Sequence, residues 1–125
     1  MTTVHATKDN FNELIERGGI VIVDFWAEWC GPCKQFGPVF EAASDKHKDV
    51  VFAKVDTEEQ PELAGAFGIR AIPTLMVFRD QVALFEQAGA LPAQALDEIL
   101  TQVRALDMEK VRQEIAAHEA KAPSA

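Results

Sequence analysis

Ile20-Val21-Ile22-Val23-Asp24-Phe25-Trp26-Ala27-Glu28-Trp29-Cys30-Gly31-Pro32-Cys33-Lys34 decides how this chain folds. Its first seven residues are apolar except for Asp24, the pattern of a central strand covered on both faces. Beyond Cys33, the apolar residues Phe36, Val39, Phe40 and Ala43 recur at helical spacing. Pro32 suits the first turn of that helix, where a missing N–H costs nothing. Pro38 lies inside the helix and is expected to kink it. The chain's two cysteines therefore sit where a strand hands over to a helix. A Cys-x-x-Cys pair can close a small disulfide and reopen it, and a helix start favours the thiolate of its first member.

Working outward, Thr7 is expected to cap a short helix carrying Phe11, Leu14 and Ile15, stopped by Gly18-Gly19. Val50 to Val55 reads as a second central strand, and Pro61 to Phe67 as a short helix ending at Gly68. Thr74 to Phe78 and Val82 to Gln87 read as an antiparallel hairpin joined by Arg79-Asp80-Gln81. From Pro92 to about Ala120 the pattern is helical, with Leu96, Ile99, Leu100, Val103 and Leu106 on the stripe that should face the sheet. In the alternative, Asp107 caps a separate helix after a break. This order gives an α/β fold: a central mixed β-sheet flanked by helices on both faces, with an extended C-terminal helix.

A chain of 125 residues, 48% hydrophobic, is enough for one domain with a real core and too short for two. Its formal charge of -8 argues against nucleic acid or an anionic membrane as partner. No apolar run approaches the ~20 residues of a membrane helix. Met1 to Thr7 has neither the basic nor the apolar region of a secretory signal, so a cytoplasmic location is expected. In a reducing compartment a Cys-x-x-Cys is catalytic or metal-binding rather than a structural staple. Zinc normally takes four ligands, and none of His5, His47 and His118 stands at ligand spacing to the cysteines. No metal is expected, and redox chemistry is favoured.

Val23 to Lys34 resembles the active-site segment of the thioredoxin family. Gly68-Ile69-Arg70-Ala71-Ile72-Pro73-Thr74 resembles the family's second hallmark, a loop with a cis proline opposite the cysteines. Phe52-Ala53-Lys54-Val55-Asp56 and Ala88-Gly89-Ala90 match two further family segments at the right spacing. Two long motifs in order are specific where a lone Cys-x-x-Cys is not. The resemblance covers roughly Val4 to Leu106. It divides the chain into a thioredoxin domain over residues 1–106 and a helical extension over 107–125 that ends in a frayed tail. Family members often carry Gly where Gln81 stands, so a tight type I′ turn is less favourable here.

The resemblance implies a thioredoxin-type reductase of disulfides in client proteins. Cys30 would attack, and Cys33, expected to be the more buried, would resolve the mixed disulfide. From the residues alone, Asp24 and Lys54 are either ordinary solvated charges or a functional pair. The resemblance implies the latter: Asp24 a buried acid of raised pKa relaying a proton to Cys33, with Lys54 beside it on the neighbouring strand. Statistics alone favour a trans bond before Pro73, whereas the resemblance implies cis. Trp29, Gly31, Pro32, Ala71, Ile72, Pro73, Gly89 and Ala90 would form a flat apolar rim, with the Ile72 backbone pairing with an extended client segment. Trp26 and Pro38 would support the site.

The resemblance also implies reduction by a separate NADPH-dependent thioredoxin reductase. The chain has no nucleotide-binding glycine motif and is expected to carry no cofactor. Gly31-Pro32 resembles the reducing branch of the family, since oxidising relatives more often carry His there. A monomer is expected, with a dimer through the extension as the alternative. A different reading makes the chain an interaction or holdase module using the apolar rim and the extension. Cys30, Cys33, Asp24, Lys54 and Pro73 together argue against a purely non-catalytic role. An oxidase or isomerase of an export compartment would need a signal sequence.

Overall fold

In the computed structural model, which describes residues 3–121, the apolar run from Ile20 becomes the middle strand of the only sheet among those residues. The elements are β1 (Thr3–His5), α1 (Phe11–Glu16), β2 (Ile20–Trp26), α2 (Gly31–Lys46), β3 (Val51–Asp56), α3 (Pro61–Ala66), β4 (Thr74–Arg79), β5 (Val82–Ala88), α4 (Ala93–Ala105) and α5 (Met108–Lys121). The five strands lie in the order β1-β3-β2-β4-β5. β1, β3 and β2 run parallel, β4 runs antiparallel to β2, and β5 antiparallel to β4. The frayed tail expected at 122–125 lies outside the described residues.

Side chains along β2 alternate between two cores. Ile20 and Ile22 join Phe36 and Phe40 of α2, Phe52 of β3, and Leu96, Leu100 and Val103 of α4. Val21, Val23 and Phe25 point the other way, toward Phe11 and Leu14 of α1, with Leu63 of α3 and Phe67 packed alongside. Phe36, Phe40, Phe52 and Leu96 are fully buried, and each contributes about 2–3 kcal/mol by leaving water. By the same alternation Asp24 falls on the α2/α4 face, in register with Lys54 of β3 and Leu75 of β4.

Four local features differ from the sequence reading. β1 is a three-residue edge strand paired only with β3, too short to carry a strand periodicity. Thr7 does not cap α1; Asn10 holds that position. Thr7 instead shapes the turn before it, where its Oγ1 accepts from the Asp9 N–H (3.2 Å) and its own N–H donates to Asn10 Oδ1 (2.7 Å). Short polar side chains bond nearby backbone in several ways, so spacing alone does not separate a cap from a turn. At the C-terminus the helix does not run on. Leu106 is extended (φ -67°, ψ 139°) and therefore leaves the buried stripe. Asp107 Oδ1 then accepts from the N–H groups of Glu109 (3.1 Å) and Lys110 (3.2 Å), capping α5 as a separate helix.

The fourth difference is the hairpin. Arg79 belongs to β4, so Asp80 and Gln81 alone make the turn, both at positive φ (50° and 73°) as in type I′. Gly19 compensates for the missing glycine. Its N–H donates to Asp80 Oδ1 (2.8 Å), and its carbonyl accepts from the Asp80 N–H (2.9 Å). Gln81 has no such anchor beyond a long contact from its amide to the Glu16 carbonyl (3.4 Å). Replacing Gln81 with Gly removes the steric cost of its left-handed backbone. The variant should gain about 0.5–1 kcal/mol in urea unfolding with an unchanged m-value. A lowered midpoint would contradict this account of the turn.

Candidate active site

The end of β2 and the start of α2 fix the two sulfurs. Cys30 is the N-cap of α2, with extended backbone (φ -85°, ψ 114°), and Cys33 stands at its third helical position. The Cys33 N–H donates to Cys30 Sγ (3.2 Å). A serine or aspartate oxygen commonly makes this capping bond; here sulfur takes the free N–H at the positive end of the helix dipole. Cys30 and Cys33 form a disulfide, their Cα atoms 5.2 Å apart. Both residues are 4% exposed, so Cys33 is not the more buried of the two. Cys30 packs with Ala27 and Cys33 against the partly buried Trp26 and Ile72, and this cover equalises the pair.

The second wall is the loop before β4. The Ile72–Pro73 peptide bond is cis, and the Ile72 carbonyl oxygen lies 3.6 Å from Cys30 Sγ. Thr74 Oγ1 donates to the Ala71 carbonyl and braces the loop. The Pro73 carbonyl accepts from the Gly89 N–H (2.8 Å), tying the Gly89-Ala90 turn to it. Gly89 sits at φ +102°, a backbone conformation that side chains rarely adopt. Gly31, Pro32, Ala71, Gly89 and Ala90 are exposed, Ile72 is half-buried and Pro73 is buried.

Trp29 is 68% exposed. Its Nε1–H donates to Glu58 Oε1 (2.7 Å), and the Glu58 N–H donates to Asp56 Oδ1 (2.9 Å). A groove of about 480 Å³ runs between Trp29, Glu28, Lys34, Asp56, Glu58 and Glu59. Glu58 is a neighbour of the site that sequence reasoning missed; it sits in a turn with no periodicity to mark it. Among the described residues no group of three or more His, Cys, Asp or Glu side chains is placed to hold a metal.

Asp24 is 1% exposed, and its Oδ1 has no hydrogen-bond partner in the protein. Burial pushes its carboxyl from 3.8 up to about 7, with the Lys54 charge pulling weakly the other way. Lys54 is the register partner of Asp24, yet its direct ion pair is elsewhere. Its Nζ lies 3.8 Å from Glu41 Oε1 and 4.8 Å from the centre of the Trp26 ring. Glu41 was not singled out from the sequence, although a signal exists: Cys33, Gly37 and Glu41 follow one another at helical i+4 spacing, on one face of α2. Pro38 lies within α2, which continues past it to Lys46.

The raised carboxyl has a consequence for stability. The folded chain retains a proton on Asp24 that the unfolded chain releases. The contribution of this group to stability is therefore full below pH 3.8 and is lost as pH rises to about 7. The gap corresponds to about 4 kcal/mol. Asp24→Asn should be more stable than the parent by a few kcal/mol at pH 8, and the two should converge near pH 4. Urea midpoints at the two pH values check this, and parallel pH profiles would refute it.

Comparison with known proteins agrees with this geometry. The thioredoxin family model matches residues 2–102. A Streptomyces coelicolor protein is 57% identical over 121 residues, spanning 97% of this chain and 90% of that protein. An alignment of that length takes in α5. The thioredoxin of Coprinus comatus is 41% identical over 102 residues, covering 80% of this chain and 95% of that protein. Among solved structures, Plasmodium falciparum thioredoxin superposes with a TM-score of 0.74 at 34% identity, covering 80% of this chain and 98% of that one. The Malassezia sympodialis thioredoxin gives 0.70 at 40% identity, covering 82% and 91%. Such identities over whole domains establish the ancestry, and the joined cysteines supply its chemistry: the chain belongs to the thioredoxin family and is a thiol–disulfide oxidoreductase.

Proposed function

We propose that this chain is a cytoplasmic reductant of protein disulfides, itself kept reduced by a separate NADPH-dependent thioredoxin reductase. The bond from the Cys33 N–H to Cys30 Sγ carries this reading. The same N–H and the helix dipole lower the energy of a Cys30 thiolate once the disulfide is opened. The Gly31-Pro32 dipeptide supports the reducing direction, because it offers the thiolate no imidazolium. A dithiol donor also needs a reducing pool to regenerate it, which favours the cytoplasm.

In the proposed cycle, the Cys30 thiolate attacks one sulfur of a client disulfide. The client S–S bond breaks, a Cys30–client S–S bond forms, and the departing client thiolate takes up a proton. Cys33 then gives its thiol proton to the Asp24 carboxylate through water, and its sulfur attacks Cys30. The Cys30–Cys33 disulfide closes, and the second client sulfur leaves and is protonated. Two electrons have passed to the client. A carboxyl titrating near neutrality suits the proton transfer. Trp29, Gly31, Pro32, Ile72, Pro73, Gly89 and Ala90 are proposed to receive the client, with the Ile72 backbone pairing with an extended segment. Trp26 supports the cysteines from below, and Pro38 shapes α2. We also propose that the thioredoxin domain ends at Leu106 and that α5 is an appendage to it.

The test is the Cys30–Cys33 reduction potential in glutathione buffers. A value near about -270 mV, that of thioredoxins, supports a reductant; about -120 to -180 mV would make the chain an oxidant or isomerase. Cys33→Ser should trap a mixed disulfide with an oxidised client on a non-reducing gel, and Cys30→Ser should trap none. If the Cys30→Ser/Cys33→Ser double variant kept full activity, the chain would be a binding module instead.

A further inference from the structure

The Lys54 side chain stands between two carboxylates carried by different elements. Asp24 lies beside it on β2, and Glu41 reaches it from α2, 3.8 Å from the ammonium. Trp26 packs against the ammonium, its ring centre 4.8 Å away. On the far side, β1 brings His5 into register with Lys54, and Thr3 Oγ1 donates to Glu41 Oε1 (2.8 Å). Three secondary elements therefore fix where the ammonium goes.

The pairing leaves each carboxylate short of partners. Asp24 Oδ1 and Glu41 Oε2 are both buried without a hydrogen bond. One ammonium serves two acids, and it is Glu41 that holds it. The choice matters, because a cation in direct contact with a carboxylate holds that group ionised and makes it a poor proton acceptor.

We propose that Glu41 is a positioning residue for the exchange reaction: by drawing the Lys54 ammonium to itself it leaves the Asp24 carboxyl short of positive charge, and so fits Asp24 to accept the proton that Cys33 gives up. This rests on the reading of Asp24 as the proton acceptor. Glu41 acts on the reaction only through Lys54, the cation it holds. Without the Glu41 charge, Lys54 is free to serve Asp24, and that favours the ionised carboxylate.

Two measurements on the full chain test this: the Asp24 carboxyl titration by carbon-13 NMR, and the pH–rate profile for reduction of a protein disulfide such as insulin. Glu41→Gln keeps the side-chain shape and should lower the Asp24 midpoint by about one pH unit. The acidic limb of the rate profile should move down with it. Glu41→Asp, which keeps the charge, should return both toward the parent. In a Lys54→Met background, Glu41→Gln should leave the midpoint where Lys54→Met alone puts it.

An Asp24 midpoint indifferent to Glu41→Gln would overturn the proposal, and so would an equal shift with Lys54 absent. The titration needs no client, so it reads the sharing of Lys54 even if disulfide reduction fails. A midpoint that moves while the rate profile stays fixed would instead remove Asp24 from the proton path, and Glu41 with it.

Discussion

Burial of β2 on both faces is the constraint on which the rest of this structure depends. A strand enclosed by helices must end abruptly, and here α2 begins five residues beyond Trp26. The junction presents free N–H groups at a point the fold cannot move. A sulfur placed there meets a donor without any further machinery. The same enclosure denies water to Asp24, the one charged residue of β2. The strand that leads into the cysteines thus also sets the proton affinity of Asp24.

The cost of this arrangement is local. Asp24, Ser44 and Thr74 are the buried polar residues among those described. Ser44 and Thr74 donate to backbone carbonyls in their own vicinity, at Glu41 and Ala71. Asp24 has no such recourse, because its strand neighbours spend their backbone groups on the sheet ladder. An unpaired buried carboxyl lowers stability, and it persists where an environment of that kind has a use. The sheet tolerates it because two cores hold the strand from opposite sides.

Much of this was legible before any coordinates. The run from Ile20 and the helical spacing after Cys33 announce their elements, because burial on two faces and on one leave different periods. Cys30, Cys33 and the Pro73 loop stand out by residue type. What stayed hidden depends on contacts between distant segments. The Asp80-Gln81 turn forms without glycine because Gly19, far away in sequence, receives Asp80. β1 exists as a strand only because β3 offers it an edge. The true partner of Lys54 is one acid among many on a charged chain, and only the packing of α2 on the sheet selects Glu41. The break before α5 was present in the sequence as Asp107, but a continuous helical pattern competed with it.

That break gives the molecule a seam. Asp107 caps α5 on its own account, so the helix does not need α4 to start. Its hold on the domain is confined to its first turns: Met108 is buried, Val111 is half-buried, and Arg112 donates to the Asp80 carbonyl (3.3 Å). Arg79 fastens the end of α4 separately, donating to the carbonyls of Val103 (2.8 Å) and Leu106 (2.9 Å). Residues 113–121 can thus unravel and reform without disturbing either core, so their amides exchange with solvent long before those of β2. The last turns of α5 can therefore be altered while the redox centre stays as it is.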